Sequence, residues 1–303
     1  MRLNKFTSQS QDLNERQYER QKKGGLGAFK WWCKGGYVHI GAIAELEAQG
    51  FEITSVAGTS MGALIGGMYA AGRLQDVGKW MSSLDAKQIF SLVDVSVSIN
   101  HVVKGEKVMA ALKQIVPDTD IADLPIPFCA VASDVRHHRE CVFDSGSLYE
   151  AIRASISIPS FFKPVKRDGC VLIDGGITNP LPLDRVKRTE GDMLVAINVN
   201  APFDYVVENA RLRAERLFRR ENPLVGRLLP GTRPVEGNYY TLLSSSFSLM
   251  IERLSELSLQ LTPPDICLNI PKNRFGGFDY GNAERMIRFG RQKMREAIMH
   301  WQR

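Results

Sequence analysis

Residues 53–72 form a 20-residue run without a single charge, Ile-Thr-Ser-Val-Ala-Gly-Thr-Ser-Met-Gly-Ala-Leu-Ile-Gly-Gly-Met-Tyr-Ala-Ala-Gly. A run of this length can cross a bilayer. Gly58/Gly62 and Gly62/Gly66 even have the G-x-x-x-G spacing of packed membrane helices. The hydroxyls and glycines make it a poor span, however. Splitting it accounts for them better: a short strand over 53–57, a tight turn over 58–62 and a buried helix of small residues over 63–72. Composition agrees, with 44% hydrophobic and 24% charged residues and a mean hydropathy of -0.16. That balance is ordinary for a globular chain and excludes collagen, coiled coil and multi-span membrane architectures. At 303 residues the chain has room for two domains or one large α/β domain.

The proposed turn reads Gly58-Thr59-Ser60-Met61-Gly62, a G-x-S-x-G. Between a strand and a helix this pattern presents a serine hydroxyl on a sharp, strained turn. The flanking glycines are needed because a Cβ there would meet neighbouring backbone. The following helix brings its positive end and free N–H groups to the serine, which favours developing negative charge. A structural Gly/Ser turn is the alternative reading, and the strand-like and helix-like flanks argue against it.

A serine hydroxyl needs a base. The histidines are His39, His101, His137, His138 and His300. A triad in the order Ser, acid, His requires a downstream histidine. Only His300 lies far enough along, at the end of a helix marked by Ala283, Met286, Ile287, Met294, Ala297, Ile298 and Trp301. A fraying helix end is a poor site for a base. Asp174 is the other candidate. It ends the apolar strand Cys170-Val171-Leu172-Ile173 and precedes Gly175-Gly176, which permit close backbone approach. Its structural alternative is a turn-capping aspartate.

The rest of the chain narrows the class. Cys33, Cys129, Cys141, Cys170 and Cys267 are scattered, with no C-x-x-C pair. A zinc ribbon or disulfide framework is therefore not expected, and a reducing compartment is. Residues 1–23 are polar and lack the apolar stretch of a signal peptide. Asp12, Glu15 and Glu19 among their basic residues weaken a nucleic-acid arm. The net charge of +6 permits weak attraction to anionic surfaces. Arg136, His137, His138 and Arg139 read as a hairpin tip after the strand 128–135, with a phosphate site as the alternative. Residues 205–240, rich in Arg and Glu, read as a solvated helix and loop, or a lid. Residues 242–261 read as an apolar helix that packs on the core or lines an acyl-chain groove.

Taken together, Gly58–Gly62, Asp174-Gly175-Gly176, His39-Ile40-Gly41, Ile152-Arg153-Ala154-Ser155-Ile156-Ser157-Ile158-Pro159 with Phe162 and Pro164, and Asn179-Pro180-Leu181-Pro182 resemble the patatin-like phospholipase family. The match runs in family order from about residue 24 to about 200. Pro264-Asp265-Ile266 and the final helix are similar to its bacterial members. The resemblance implies a three-layer α/β/α fold with a central, mostly parallel sheet. It implies a serine lipid acyl hydrolase, phospholipase A-like, with Ser60 as nucleophile and Asp174 as base. No metal, no cofactor and no histidine base are implied. The implied partner is a lipid substrate met transiently at a membrane surface, not nucleic acid. With the scattered cysteines and the polar N-terminal residues, the expected location is the cytoplasm, peripheral at the inner membrane surface. The chain then divides into a polar tail (1–23), a catalytic core (24–200) and a C-terminal part of the same domain (201–303) holding a lid or insertion and the last strand and helix.

One stretch departs from the family. Its glycine-rich run before the His-Ile-Gly, whose N–H groups form the oxyanion hole, is here Ala28-Phe29-Lys30-Trp31-Trp32-Cys33-Lys34-Gly35-Gly36. Gly35 and Gly36 are the remaining oxyanion candidates. Tryptophan has the single codon TGG, so Lys-Trp-Trp-Cys-Lys-Gly is encoded as AAR-TGG-TGG-TGY-AAR-G. Read from its second base this becomes ART-GGT-GGT-GYA-ARG, which translates as Ser/Asn-Gly-Gly-Ala/Val-Lys/Arg. The same frame allows Ala-Leu-Ser for residues 27–29. We hypothesise that compensating frameshifts or sequencing errors span about residues 27–35. Two rival readings stand beside this one: a histidine-triad serine esterase with His300 as its base and, with Trp31 and Trp32 in place of the glycines, an impaired, binding-only relative of the family.

Overall fold

The computed structural model describes residues 23–29, 35–83, 106–159, 162–202, 204, 239–272, 274 and 283–302. The expected elements at 1–22 and 205–238, and Trp31 and Trp32, lie outside the described residues.

Eight strands form one sheet: β1 (Lys23–Phe29), β2 (Glu52–Thr59), β3 (Phe128–Asp134), β4 (Arg139–Phe143), β5 (Val165–Arg167), β6 (Cys170–Asp174), β7 (Met193–Ala201) and β8 (Ile266–Pro271). The order β3-β2-β1-β7-β8 is parallel throughout. β4, β5 and β6 join antiparallel beside β3. The helices are α1 (Gly36–Ala48), α2 (Met61–Ala70), α3 (Leu74–Ser83), α4 (Glu106–Ile115), α5 (Leu148–Ser155), α6 (Tyr239–Leu261) and α7 (Ala283–Trp301).

Side-chain alternation along the central strands divides the core into two faces. Val56, Phe128, Ala130, Val195 and Ile197 join a large cluster with residues of α1, α2, α3, α4, α5 and α7. Their neighbours Ala57, Cys129, Leu194 and Ala196 face a smaller cluster with Leu181, Leu183 and Val186, against which Leu259 of α6 packs. The result is helix, sheet, helix: the three-layer α/β/α fold with a mostly parallel sheet that the resemblance implies.

The split reading of 53–72 holds, with shifted bounds. β2 continues to Thr59 and α2 starts at Met61, so the turn shrinks to Ser60 itself. Pairing causes this: Gly58 and Thr59 stay in ladder with Ala130 and Val131 of β3. The strand expected at 128–135 ends at Asp134, and Arg136–His138 form the β3–β4 turn, a hairpin tip. His137 Nδ1 lies 2.6 Å from Asp134 Oδ2, and Arg136 donates to the Gly169 carbonyl at 2.8 Å. These groups tie two adjacent turns together.

α7 returns along α1 at very close range. A Cβ on Gly41 would stand 2.1 Å from the Ile287 carbonyl oxygen, and one on Gly290 would stand 2.3 Å from that of Val38. Only glycine lets the two backbones touch. Beside this crossing, the buried carboxylate of Glu45 accepts from Arg295 Nε at 2.8 Å and Arg291 Nε at 3.2 Å. The Arg295 bond leads in holding that carboxyl down to about 2. This contact locks α1 against α7.

Candidate active site

Ser60 is the positive-φ residue between β2 and α2, at φ 59° and ψ -122°. Such a conformation is costly for a residue with a Cβ, and surrounding structure must hold it. Three features do so. A Cβ on Gly58 would lie 2.4 Å from the Gly62 carbonyl oxygen, so the chain folds back on itself only because residue 58 is glycine. Thr59 Oγ1 donates to the Asn179 carbonyl at 2.7 Å. The Ser60 N–H donates to Ser155 Oγ at 2.8 Å, and that hydroxyl donates in turn to the Val131 carbonyl at 2.6 Å. Ser60 and Ser155 are both buried.

Asp174 arrives from the opposite direction. β3 pairs with β4 along one edge over residues 130–134. Its other edge pairs with β2 up to Thr59↔Val131, and then with β6 from Asp174↔Ala132. β2 and β6 thus meet end to end along one edge, with their last residues on consecutive positions of β3. Across that junction Ser60 Oγ donates to Asp174 Oδ2 at 2.5 Å.

The Asp-Gly-Gly sequence serves this geometry. A Cβ on Gly175 would stand 2.1 Å from the Val131 carbonyl oxygen. The Gly176 N–H donates to Asp174 Oδ1 at 2.7 Å, which orients the carboxylate and leaves Oδ2 for the serine. The Asp174 N–H donates to the Ser157 carbonyl at 2.9 Å, and Ser133 Oγ donates to the Asp174 carbonyl at 3.0 Å. Asp174 does cap its turn, so the two readings of this residue are not exclusive: one oxygen caps and the other meets Ser60.

β1 ends at Phe29, in register with Gly58. Gly35 caps and Gly36 opens α1. Gly36 lies against Met61, the residue after Ser60; a Cβ on Gly36 would stand 3.3 Å from Met61 Sδ. Met61 and Gly62 start α2, so their N–H groups belong to the unbonded first turn.

The structure therefore brings together Ser60, Asp174, Gly58, Thr59, Met61, Gly62, Gly175 and Gly176, with Gly36 beside them. His300 is exposed at the far end of α7. Ser155, Ser157 and Ser133 escaped individual reading, because the run Ile152–Pro159 shows their presence but not the strand ends they reach. Among the described residues, Asp134, His137 and Cys170 bring ligand-type atoms within 4.8 Å of one another. Asp134 there already accepts from the Arg136 and Val171 N–H groups.

A model described as patatin-like phospholipase matches residues 33–187, just over half of the chain. The chain belongs to the patatin-like phospholipase family. The match begins beyond Trp31 and Trp32. An uncharacterized NTE family protein of Mycobacterium tuberculosis is 42% identical over 165 residues, 54% of this chain and 46% of that one. The human patatin-like phospholipase domain-containing protein 6 is 25% identical over 278 residues, 88% of this chain and 20% of its own. Lysophospholipase NTE1 of Scheffersomyces stipitis is 27% identical over 177 residues, 56% of this chain and 11% of its own. The patatin-like chain thus spans less than half the length of these relatives. Crystalline VipD from Legionella pneumophila overlays with a TM-score of 0.49 at 15% identity, covering 92% of this chain and 67% of that one.

Proposed function

We propose that the chain is a serine lipid acyl hydrolase that cleaves acyl esters of phospholipids through a Ser60–Asp174 dyad. The carrying observation is the 2.5 Å contact from Ser60 Oγ to Asp174 Oδ2, made from a strained strand-to-helix turn. Asp174 Oδ2 takes the hydroxyl proton as Oγ attacks the ester carbonyl. The oxyanion is met by backbone N–H groups at the starts of α2 and α1, including Met61 and Gly36. Asp174 returns the proton to the leaving alcohol, and an acyl-enzyme on Ser60 remains. Water, deprotonated by Asp174, then releases the fatty acid. The substrate class rests on family membership and on relatives named as phospholipase and lysophospholipase.

No helix among the described residues is long and apolar enough to cross a membrane. We place the working enzyme in the cytoplasm, meeting its substrate transiently at the inner membrane surface.

Hydrolysis of a p-nitrophenyl acyl ester and of a lysophospholipid tests the proposal, together with labelling by a fluorophosphonate. Ser60→Ala abolishes turnover and labelling, and Asp174→Asn lowers turnover by at least 10²-fold. An Asp174→Asn enzyme of unchanged rate removes the dyad. A second reading, a binding protein with impaired chemistry, follows from Trp31-Trp32 standing where the family has glycines. It requires that wild-type Ser60 resist the fluorophosphonate.

A further inference from the structure

His39 is buried with no exposed surface, in the first turn of α1. Its backbone N–H makes the ordinary helical bond to the Gly35 carbonyl at 2.9 Å. Its ring Nδ1 lies 2.6 Å from the same oxygen. A carbonyl only accepts, so Nδ1 carries the hydrogen. Burial also lowers the ring's pKa to about 4, so the imidazole is neutral at the pH where esterases work. Both donors of one residue thus converge on a single peptide group, the one joining Gly35 to Gly36. Helical side chains lean toward the N-terminus, which is how a residue four positions along reaches this carbonyl.

The peptide is planar and trans, so fixing its carbonyl fixes the opposed N–H of Gly36. A glycine pair has no side chain to limit its rotation, and the helix start has no side-chain cap. Bonding at the carbonyl also polarises the peptide and strengthens the N–H as a donor. Gly36 is the residue packed against Met61, directly after the nucleophile.

We propose that His39 is a positioning residue that clamps the Gly35–Gly36 peptide so that the Gly36 N–H serves the oxyanion. This rests on the serine hydrolase reading above. His39 touches no reacting atom and takes no proton; its role is to hold one donor in place before the transition state forms.

The test compares two polar replacements of similar compatibility with burial. The Asn amide reaches the place of Nδ1, whereas the Gln amide reaches that of Nε2. His39→Asn should recover most of the wild-type kcat. His39→Gln should lower kcat roughly 10²-fold, the loss typical of one oxyanion donor, with KM within about twofold. The rate of Ser60 phosphonylation by a fluorophosphonate should fall with kcat, and urea midpoints report whether both variants are folded. If folded His39→Asn and His39→Gln turn over alike, or if KM carries the change, the clamp is wrong while the hydrolase stands. If wild type neither turns over nor labels, the hydrolase reading fails and takes the clamp with it.

Discussion

The hydroxyl of Ser155 holds the backbone of Ser60, accepting its N–H at 2.8 Å while donating to Val131 on the neighbouring strand. Two residues later the carbonyl of Ser157 holds the N–H of Asp174. The end of α5 therefore grips both Ser60 and Asp174 by their main chains.

Ser155→Ala leaves the Ser60 N–H buried without its partner. The expected loss of stability is about 1–3 kcal/mol, read from urea unfolding. The elbow relaxes as well, so the p-nitrophenyl ester rate should drop more than a stability-matched core variant such as Ile152→Val. Equal rates for those two variants would show that α5 merely packs.

Glu45 and its arginines predict an asymmetry. Glu45 is buried, but Arg291 and Arg295 are half exposed. Glu45→Gln leaves two cations that water can solvate and should cost about 1 kcal/mol. The double variant Arg291→Ala/Arg295→Ala strands a buried carboxylate and should cost about 3 kcal/mol or more. Chemical denaturation of both checks the order, and a reversed order contradicts the account of the α1–α7 contact.

Acid should unfold the protein in two consecutive windows. His39 is lowered from 6.5 to about 4 by burial, so the unfolded chain binds its proton first. That contribution is complete above pH 6.5 and is lost as pH falls to about 4. Glu45 is lowered from 4.5 to about 2, chiefly by Arg295, so its contribution is lost from pH 4.5 downward. Urea midpoints measured against pH should flatten between 4 and 6.5 in His39→Asn, and below 4.5 in Glu45→Gln.

The tryptophan pair gives a genetic and a catalytic prediction. Resequencing the gene should reveal paired frame changes around residues 27–35; a clean TGG-TGG in frame, with the Trp-Trp peptide seen by mass spectrometry, removes the error hypothesis. In the chain as it stands, Lys30→Ser/Trp31→Gly/Trp32→Gly/Cys33→Ala together should raise kcat/KM by about 10²–10³, the worth of an oxyanion donor.

Much of this was legible in the residues because local chemistry dictated it. A G-x-S-x-G with β-type residues before it and small apolar ones after it has few other ways to fold. The two-residue drift at its edges came from β3, since pairing with Ala130 and Val131 extends β2, and no local pattern in β2 reports its partner. Asp174 was visible as a strand end followed by glycines. That its strand would run antiparallel into the end of β2 was not, because the relation is set by register across 114 residues. Ser155 and His39 stood in motifs, but their roles were not legible for the opposite reason. Each depends on which carbonyl or amide the fold brings within reach.

The end-to-end meeting of β2 and β6 has a consequence for the spacing of Ser60 and Asp174. Consecutive positions on a strand lie about 3.3 Å apart, and Thr59 and Asp174 pair with consecutive positions of β3. β3 thus acts as a ruler for the reacting pair. The gap between hydroxyl and carboxylate is therefore set by two ladders on one strand, and not by the segments that connect β2 to β3 and β3 to β6.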